Sequence, residues 1–499
     1  MSSRFADAIE AVEVAVRRSA AFRAWLRGRR WCGESVSLHS ELSVKDSAPL
    51  SETGTEALVF ILGLAQEGSS SALLHLPLSV ATARFAPDAF ELPVGPDRVY
   101  VLEAERRESF ARFLADGFRG GPKISTRAGG SLLFRGERLG SFRTMEPAAS
   151  GDSSNLVFRM TTSEASLVFK SYKLLDPQNR EPAILERLHR RRFPHAPPLL
   201  GELSLGQGED RLVLGVATQH LDAVDLFAWL VDGWRDALRP EAPPPGPFED
   251  TTLALAADLG AATAALHDAL VDRKPGPFQA EPFAPEDAQS AYRLATRNLT
   301  DSLRLLAHRD PSDPAIPSER AAESRELLLD HRRDIEDILA FLNASVGTVK
   351  SVTHADLHLG QVLRSPRDGS LTFIDFEGEP ERSPAARSVK LPPLRDVATM
   401  IRSFAYVRHT VLRNLGPAAT AETASRLRVW EEAVVRAYRD RYLARTNLYP
   451  ELEKETAERV IRGWTMEKAL YELRYELKHR PANYGIPLDG ILSSAGVRA

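Results

Sequence analysis

The chain has 499 residues, 43% hydrophobic and 26% charged, and its 64 basic against 68 acidic residues leave a formal charge of −4. That composition belongs to a folded protein too long for one core, so two to four domains or lobes are expected, and it lacks the basic excess of a dedicated nucleic-acid binder. A lone cysteine, Cys32, excludes an intrachain disulfide framework and speaks against a cysteine-based zinc site, and no apolar run approaches the ~20 residues of a membrane helix.

A cytoplasmic protein without nucleic-acid or membrane partners is therefore expected. The opening FADAIEAVEVAVRRSAAFRAWL is interrupted by Asp7, Glu10, Glu13, Arg17 and Arg18, and reads as an amphipathic helix, not a signal peptide. EALVFILGLAQ, ALLHLPLSVA and DRVYVLEAE are β-rich runs divided by Gly, Pro and Ser. SLLFRGERLGSF (131–142) reads as a hairpin turning at Arg135-Gly136-Glu137, and closes an N-terminal region over 1–145. In the next region, 146–221, SNLVFRM and ASLVFKSYKLL flank a turn at Thr161 to Glu164. The helix EPAILERLHRRR and the strand RLVLGVATQHL follow, which is the element order of a small nucleotide-binding lobe. From Asp222 to the end, 222–499, the chain is mainly helical. LALAADLGAATAALHDAL should be a buried helix, RPEAPPPGPFED and HRDPSDPAIPSER are breaks, and a strand pair near 362–376 interrupts the helices.

The densest chemistry lies in THADLHLGQVLRSPRDGSLTFIDFEGEP, residues 353–380. Asp356 sits in a short polar loop, Gln361 follows five residues later, and Asp375 ends a second apolar strand. Phosphoryl transfer asks for little covalent help: one carboxylate to orient the attacking hydroxyl, and hard oxygen ligands to hold magnesium against ATP. Asp356 is the candidate catalytic residue, Asp375 and Gln361 the candidate metal ligands, and Glu377 a further one. His354 suits a structural role in the loop, while His358 could reach phosphate or substrate.

On the nucleotide side, Lys170 in ASLVFKSYK is the candidate phosphate-binding lysine, with Glu181 as partner and Glu186 as alternative. Lys173 competes, but it lies off the alternation that places Lys170 on the Val168 face. GDSSNLVF, with Ser153, Ser154 and Asn155, could fold over phosphates, and Gln219 and His220, ending the last strand of the lobe, are further candidates for binding the nucleotide. There is no Walker-type GxxxxGK[ST]. Asp396, in PPLRDVATMIRSF, is expected to brace the catalytic loop from a helix start. In MEKALYELRYELKHRP, Tyr471 and Tyr475 lie four apart, as do Glu472 and Glu476, with Glu467 and Lys468 upstream; each pair shares a helical face and, with Arg480, could line a sugar site.

HADLHLGQVL, FIDFEGEP, PPLRDVATMIRSFAY and EKALYELRYELKHRPANYGIPLDGI closely resemble bacterial maltokinases, relatives of the aminoglycoside phosphotransferases. The resemblance implies an α+β, bilobal protein-kinase-like fold, with a β-rich N-lobe, a mostly helical C-lobe and an N-terminal α/β cap domain over 1–145. It implies phosphorylation of maltose by ATP and Mg2+ to give maltose 1-phosphate for α-glucan synthesis, and makes a trehalose- or maltose-metabolising enzyme the candidate partner. Two departures stand out. The family usually has HGD where this chain has His354-Ala355-Asp356, and its RWF-type motif appears as Arg30-Trp31-Cys32-Gly33. Glucosamine or an aminoglycoside as acceptor, and a catalytically inactive kinase-like binder, are the rival readings.

Overall fold

The computed structural model describes residues 5–32, 36–37, 39–121, 123–147, 155–208, 211–239, 246–309 and 315–497. It divides into two units, Met1–His189 with Pro197–Leu221, and Arg190–Ala196 with Asp222–Ala499.

The first unit starts with helices α1 (Ala6–Arg18) and α2 (Ala20–Arg27), the second capped by the Ser19 hydroxyl, which accepts the Phe22 N–H at 3.1 Å. Their apolar faces, with Val12, Val16, Phe22 and Leu26, share a core with an antiparallel sheet. Its strands β1 (Glu41–Glu52), β2 (Glu56–Glu67), β3 (Ser70–Ala81), β4 (Phe90–Val94) and β5 (Asp97–Glu103) run in the order β1-β2-β3-β5-β4. Ala57, Val59 and Ile61 of β2 join the helix-side core, while Leu58, Phe60 and Leu62 are buried on the opposite face. Burial on both faces explains why EALVFILGLAQ is a continuous apolar run and not an alternating one.

Helix α3 (Glu108–Phe118) then leads to β6 (Ile124–Ser125), β7 (Ser131–Gly136), β8 (Phe142–Pro147), β9 (Leu156–Thr162) and β10 (Ser166–Ser171). The two-residue β11 (Leu174–Leu175) returns to pair with β3, and α4 (Glu181–Arg190), β12 (Leu199–Leu205) and β13 (Leu212–Gln219) follow. Apart from β11, these strands form a second antiparallel sheet in the order β6-β7-β12-β13-β10-β9-β8. Phe110 of α3 meets Phe158 and Phe169 on this sheet, and Phe113 and Phe118 meet Phe134.

One expectation is corrected here. Residues 131–142 are not a hairpin: β7 pairs with β6 and β12, and β8 pairs with β9 at the far edge. Gly136 (φ +133°) ends β7 so close to β12 that a Cβ would lie 2.2 Å from the Leu200 carbonyl oxygen, and the chain then crosses the sheet. The chain passes from the first sheet to α3 and the second sheet between Glu103 and Glu108.

Among the described residues the second unit is mostly helix. It holds α5 (Leu226–Ala237), α6 (Pro247–Ala269), α7 (Pro285–Ala307), α8 (Ser318–Asp330), α9 (Arg332–Leu339), α10 (Pro384–Arg387), α11 (Leu394–Leu415), α12 (Ala421–Arg445), α13 (Lys454–His479) and α14 (Gly485–Ser494). Strands β14 (Val224–Asp225), β17 (Val362–Arg364) and β18 (Leu371–Phe373) form a small sheet, and β15 (Glu281–Pro282) pairs with β16 (Val349–Lys350). The alanine-rich α6 is buried against α12. At Gly260 a Cβ would lie 2.3 Å from the Tyr438 carbonyl oxygen, so this approach requires glycine, and Trp430 Nε1 donates across the pair to Thr252 Oγ1 at 2.9 Å. The pattern is the expected α+β one: sheet-rich N-terminal part, helical C-terminal part.

Candidate active site

Asp396 stands in the first turn of α11, where the helix dipole favours a carboxylate. It reaches back to the 353–361 loop. The N–H of His354 donates to Oδ2 at 2.8 Å and that of Ala355 to Oδ1 at 3.0 Å. His267 Nε2 lies 3.2 Å from Oδ2, and Tyr442 Oη 2.9 Å from His267 Nδ1. Burial alone would push the Asp396 carboxyl up, but its contacts with His267 and the His354 N–H bring it below the usual range. This grip matters because Ala355 has φ +67°, a left-handed torsion that costs a non-glycine residue about 1–2 kcal/mol. A torsion that glycine adopts freely is thus carried here by a residue with a methyl group.

The loop is also tied to Asp375, just past β18. His354 Nε2 lies 2.9 Å from the Ile374 carbonyl oxygen and its ring sits on Phe376. The Ile374 N–H donates to the Gln361 carbonyl at 3.0 Å, and Gln361 Nε2 donates to Asp375 Oδ2 at 2.9 Å. Asp375, itself left-handed at φ +65°, and Glu377 offer carboxylate oxygens within 4.8 Å of each other. Two carboxylates and the Gln361 amide oxygen are a hard-oxygen set of the kind magnesium takes.

Asp356, 16% exposed at its side chain, lies at the edge of a buried ionic network. Lys468 Nζ, from α13, is 3.2 Å from Asp356 Oδ1 and 2.6 Å from Glu379 Oε1. Arg395 joins Glu379 and Glu467 at 2.9 and 3.0 Å, and Arg382 bridges the same two glutamates. Burial works against the Lys468 ammonium, yet Glu379 and Asp356 hold it well above the ordinary lysine range, while its three cationic neighbours keep Glu379 ionised despite full burial. His358 accepts the Gly360 N–H on Nδ1 at 3.1 Å and places Nε2 4.0 Å from Asp356 Oδ2.

The sequence reading had given Lys468, Glu379 and Arg382 no role. The signal was present: MEKALYEL lies on a helix buried on every side from Met466 to Leu473, and charged residues there must be paired. Two of the expected sugar-binding carboxylates also have ionic partners. Glu472 is bound to Arg402 at 2.9 Å, and Glu476 to Arg480 at 2.8 Å and the Tyr406 hydroxyl at 3.1 Å. Tyr471 and Tyr475 do share a face, their rings nearly parallel at 6.2 Å. The buried Tyr471 hydroxyl has no hydrogen-bond partner among the described residues, and its ring lies 4.8 Å from Lys468 Nζ.

In the first unit, Lys170 on β10 lies 2.9 Å from Glu181 at the start of α4, and the Tyr172 hydroxyl donates to the same Glu181 oxygen at 2.7 Å. Glu186, the alternative partner, lies instead 3.9 Å from Arg211. Lys173 is sealed away with Glu105, as the alternation required. Asn155 Oδ1 accepts the Lys173 N–H at 3.3 Å; Ser153 and Ser154 lie outside the described residues. At the end of β13, the N–H groups of Gln219 and His220 donate to the carbonyls of Pro198 and Ser166, each at 2.9 Å. No described helix is long and apolar enough to cross a membrane.

The sheet-bearing unit carries a lysine–glutamate pair on a strand and its following helix, and the helical unit carries an aspartate, a glutamine and a second aspartate on neighbouring loops. Residues 145–413 match the phosphotransferase enzyme family (APH), and the chain belongs to it. It is 29% identical over 292 residues to a glucosamine kinase of Streptacidiphilus jiangxiensis (58% of this chain), and 29% identical over 282 residues to one of Mycolicibacterium smegmatis (56% of this chain). These matches span 59% and 61% of the two relatives' length. A solved glucosamine kinase in complex with glucosamine, ADP and inorganic phosphate shares the fold, with a TM-score of 0.63 at 20% identity over 95% of this chain and 98% of that one.

Proposed function

We propose that the protein transfers the γ-phosphoryl group of ATP to a hydroxyl group of a sugar. The observation that carries this reading is the convergence of Asp356, Gln361 and Asp375 on two loops bound together by His354, with Asp396 fixing the backbone beneath them. Asp356 would accept the hydrogen bond of the acceptor hydroxyl and direct its oxygen at the γ-phosphorus. As that O–P bond forms, the bond from the γ-phosphorus to the β,γ-bridging oxygen breaks, the hydroxyl proton passes to Asp356, and ADP leaves. Magnesium, when bound, supplies charge neutralisation to the phosphate oxygens, and Asp375, Gln361 and Glu377 are the residues suited to hold it. Lys170, kept in place by Glu181, is suited to the α- and β-phosphates.

Two acceptors come forward. The motif resemblance supports maltose, and the likeness to glucosamine kinases supports glucosamine. The test is an ATP and magnesium assay against maltose, glucose, glucosamine and kanamycin, with the products identified by phosphorus NMR. A phosphorylated sugar is expected, and Asp356→Asn should lower kcat at least ~100-fold while nucleotide binding persists. No phosphorylated product from any of the four, or near-normal turnover of the variant, would overturn the reading.

A further inference from the structure

We infer that Lys468 makes the acceptor site selective for an uncharged sugar, because it fixes an ammonium beside the carboxylate that the reacting hydroxyl must approach. The inference rests on the sugar-kinase reading above and goes further by naming the acceptor class and the residue that sets it.

Lys468 is not free to swing away. Its side chain is 6% exposed, and its Nζ is 2.6 Å from a Glu379 carboxylate with no exposure of its own, which would otherwise lose one of its three cationic partners. The same Nζ takes Asp356 Oδ1 at 3.2 Å. This leaves Oδ2, with His358 Nε2 4.0 Å away, as the oxygen for the acceptor hydroxyl. A cationic amine on a carbon next to that hydroxyl would then stand within a few ångströms of the lysine ammonium, in a partly dry site where like charges repel far more strongly than in water.

Among the described residues, the carboxylates around Asp356 on α13 and in the following turn are not open to compensate such a cation. The carboxylates of α13 and of the turn after Glu377 are already held: Glu467 by two arginines, Glu472 by Arg402, Glu476 by Arg480, and Glu381 by Arg474 and His479. What the neighbourhood offers instead is the neutral Tyr471 hydroxyl, buried and without a partner among the described residues, which can both give and accept a hydrogen bond to a sugar hydroxyl. Aromatic area and a neutral polar tip suit a plain hexose or a disaccharide of hexoses. The likeness to glucosamine kinases does not extend to the acceptor on this view.

The experiment compares kcat/KM for glucose, maltose and glucosamine on the full chain, at a pH where the amine stays protonated, for the wild type, Lys468→Arg and Lys468→Met. The better neutral sugar should exceed glucosamine by at least ~10-fold in the wild type and in Lys468→Arg, and Lys468→Met should narrow that ratio by about tenfold, the scale of removing one close like charge. A merely structural lysine would lower all acceptors together and leave the ratio unchanged, which overturns the inference. So does a wild-type preference for glucosamine, which leaves the sugar-kinase reading standing. Binding of ATP without phosphorylation of any sugar overturns both. If Lys468→Met does not fold, Lys468→Gln, which keeps a hydrogen-bond donor toward Glu379 without the charge, reads the same ratio against wild type, with the same outcomes.

Discussion

Each unit of the molecule buries a lysine against a glutamate, and the two pairs differ in how they end. In the first unit Lys173 meets Glu105 at 2.7 Å with side chains 0% and 1% exposed. Its direct contacts are buried: the Ser171 hydroxyl donates to the same glutamate oxygen at 2.8 Å, the lysine lies over the Trp31 ring, and Trp31 Nε1 donates to Glu103 at 2.6 Å. In the second unit Lys468 meets Glu379 at 2.6 Å, but the network continues to Asp356, which is partly exposed. A buried ion pair that terminates inside joins segments of the fold; here it links β10 and its following turn to the end of β5. One that terminates at a partly exposed acid can set the charge and position of that acid.

The sharpest way to break this comparison is to remove the closed lysine. Lys173→Met leaves the Glu105 carboxylate buried with no cation, and should cost about 3–5 kcal/mol of unfolding free energy in urea denaturation. Adding Glu105→Leu should recover most of it. If Lys173→Met is nearly neutral, the pair is not what joins the segments. Burial already pushes the Glu105 carboxyl up against the pull of Lys173, which shows how strongly it depends on that one partner.

Lys170 sharpens the contrast from the strand just before Lys173. It is three residues from Lys173, but its side chain is 14% exposed. Lys170→Met should therefore cost less than Lys173→Met, about 1–3 kcal/mol because Glu181 is itself only 3% exposed, and lower kcat/KM for ATP by about 100-fold, the scale of losing one preorganised donor to a developing charge. A variant that unfolds but, where folded, handles ATP normally would place Lys170 with Lys173 as fold glue.

How much of this was readable in advance depends on how local each determinant is. Gln361 and Asp375 are fourteen residues apart and hydrogen-bonded to each other, and Asp356 precedes Gln361 on the same loop, so the grouping rests on local sequence. The choice of Lys170 over Lys173, and of Glu181 over Glu186, followed from strand alternation and from the helix start, both local. The failures are long-range. Nothing in SLLFRGERLGSF shows that its two strands pair with β12 and β9 at opposite sides of a sheet. The partners of Glu472 and Glu476 lie partly on α11, so a face shared along one helix could suggest a ligand site but could not show that arginine already occupied those carboxylates.

At the open end of the second network, the loop carrying Asp356 tolerates strain because Asp396 holds it. Ala355→Gly relieves a left-handed torsion worth about 1–2 kcal/mol and pays roughly 0.5–1 kcal/mol in chain entropy. Thermal unfolding should show a net gain of about 0.5–1 kcal/mol with turnover little changed. A loss of stability would mean that the methyl group contributes packing that outweighs the torsional relief.

The weakest expected effect lies at the surface, and it tests whether exposure ranks these ion pairs. Asp88 meets both Arg29 and Arg106 at 2.6 Å, its backbone carbonyl accepts the Trp25 indole N–H at 2.8 Å, and Glu103 faces the same two arginines at 3.6 and 3.7 Å. Arg106 first, against some burial, and then Arg29 draw the Asp88 carboxyl down to about 2. A carboxyl depressed on folding contributes stability that is fully present above its ordinary value near ~4, and that is lost as pH falls through about 2. With the Asp88 side chain 41% exposed, solvent screening keeps the contribution under about 1 kcal/mol. Asp88→Asn should thus destabilise slightly at neutral pH, and the gap to wild type should shrink as pH is lowered from about 4 to 2. The Trp25 contact, made through the backbone, stays in the variant, so a gap that persists unchanged at pH 2 would show that the side chain acts by packing and not by charge.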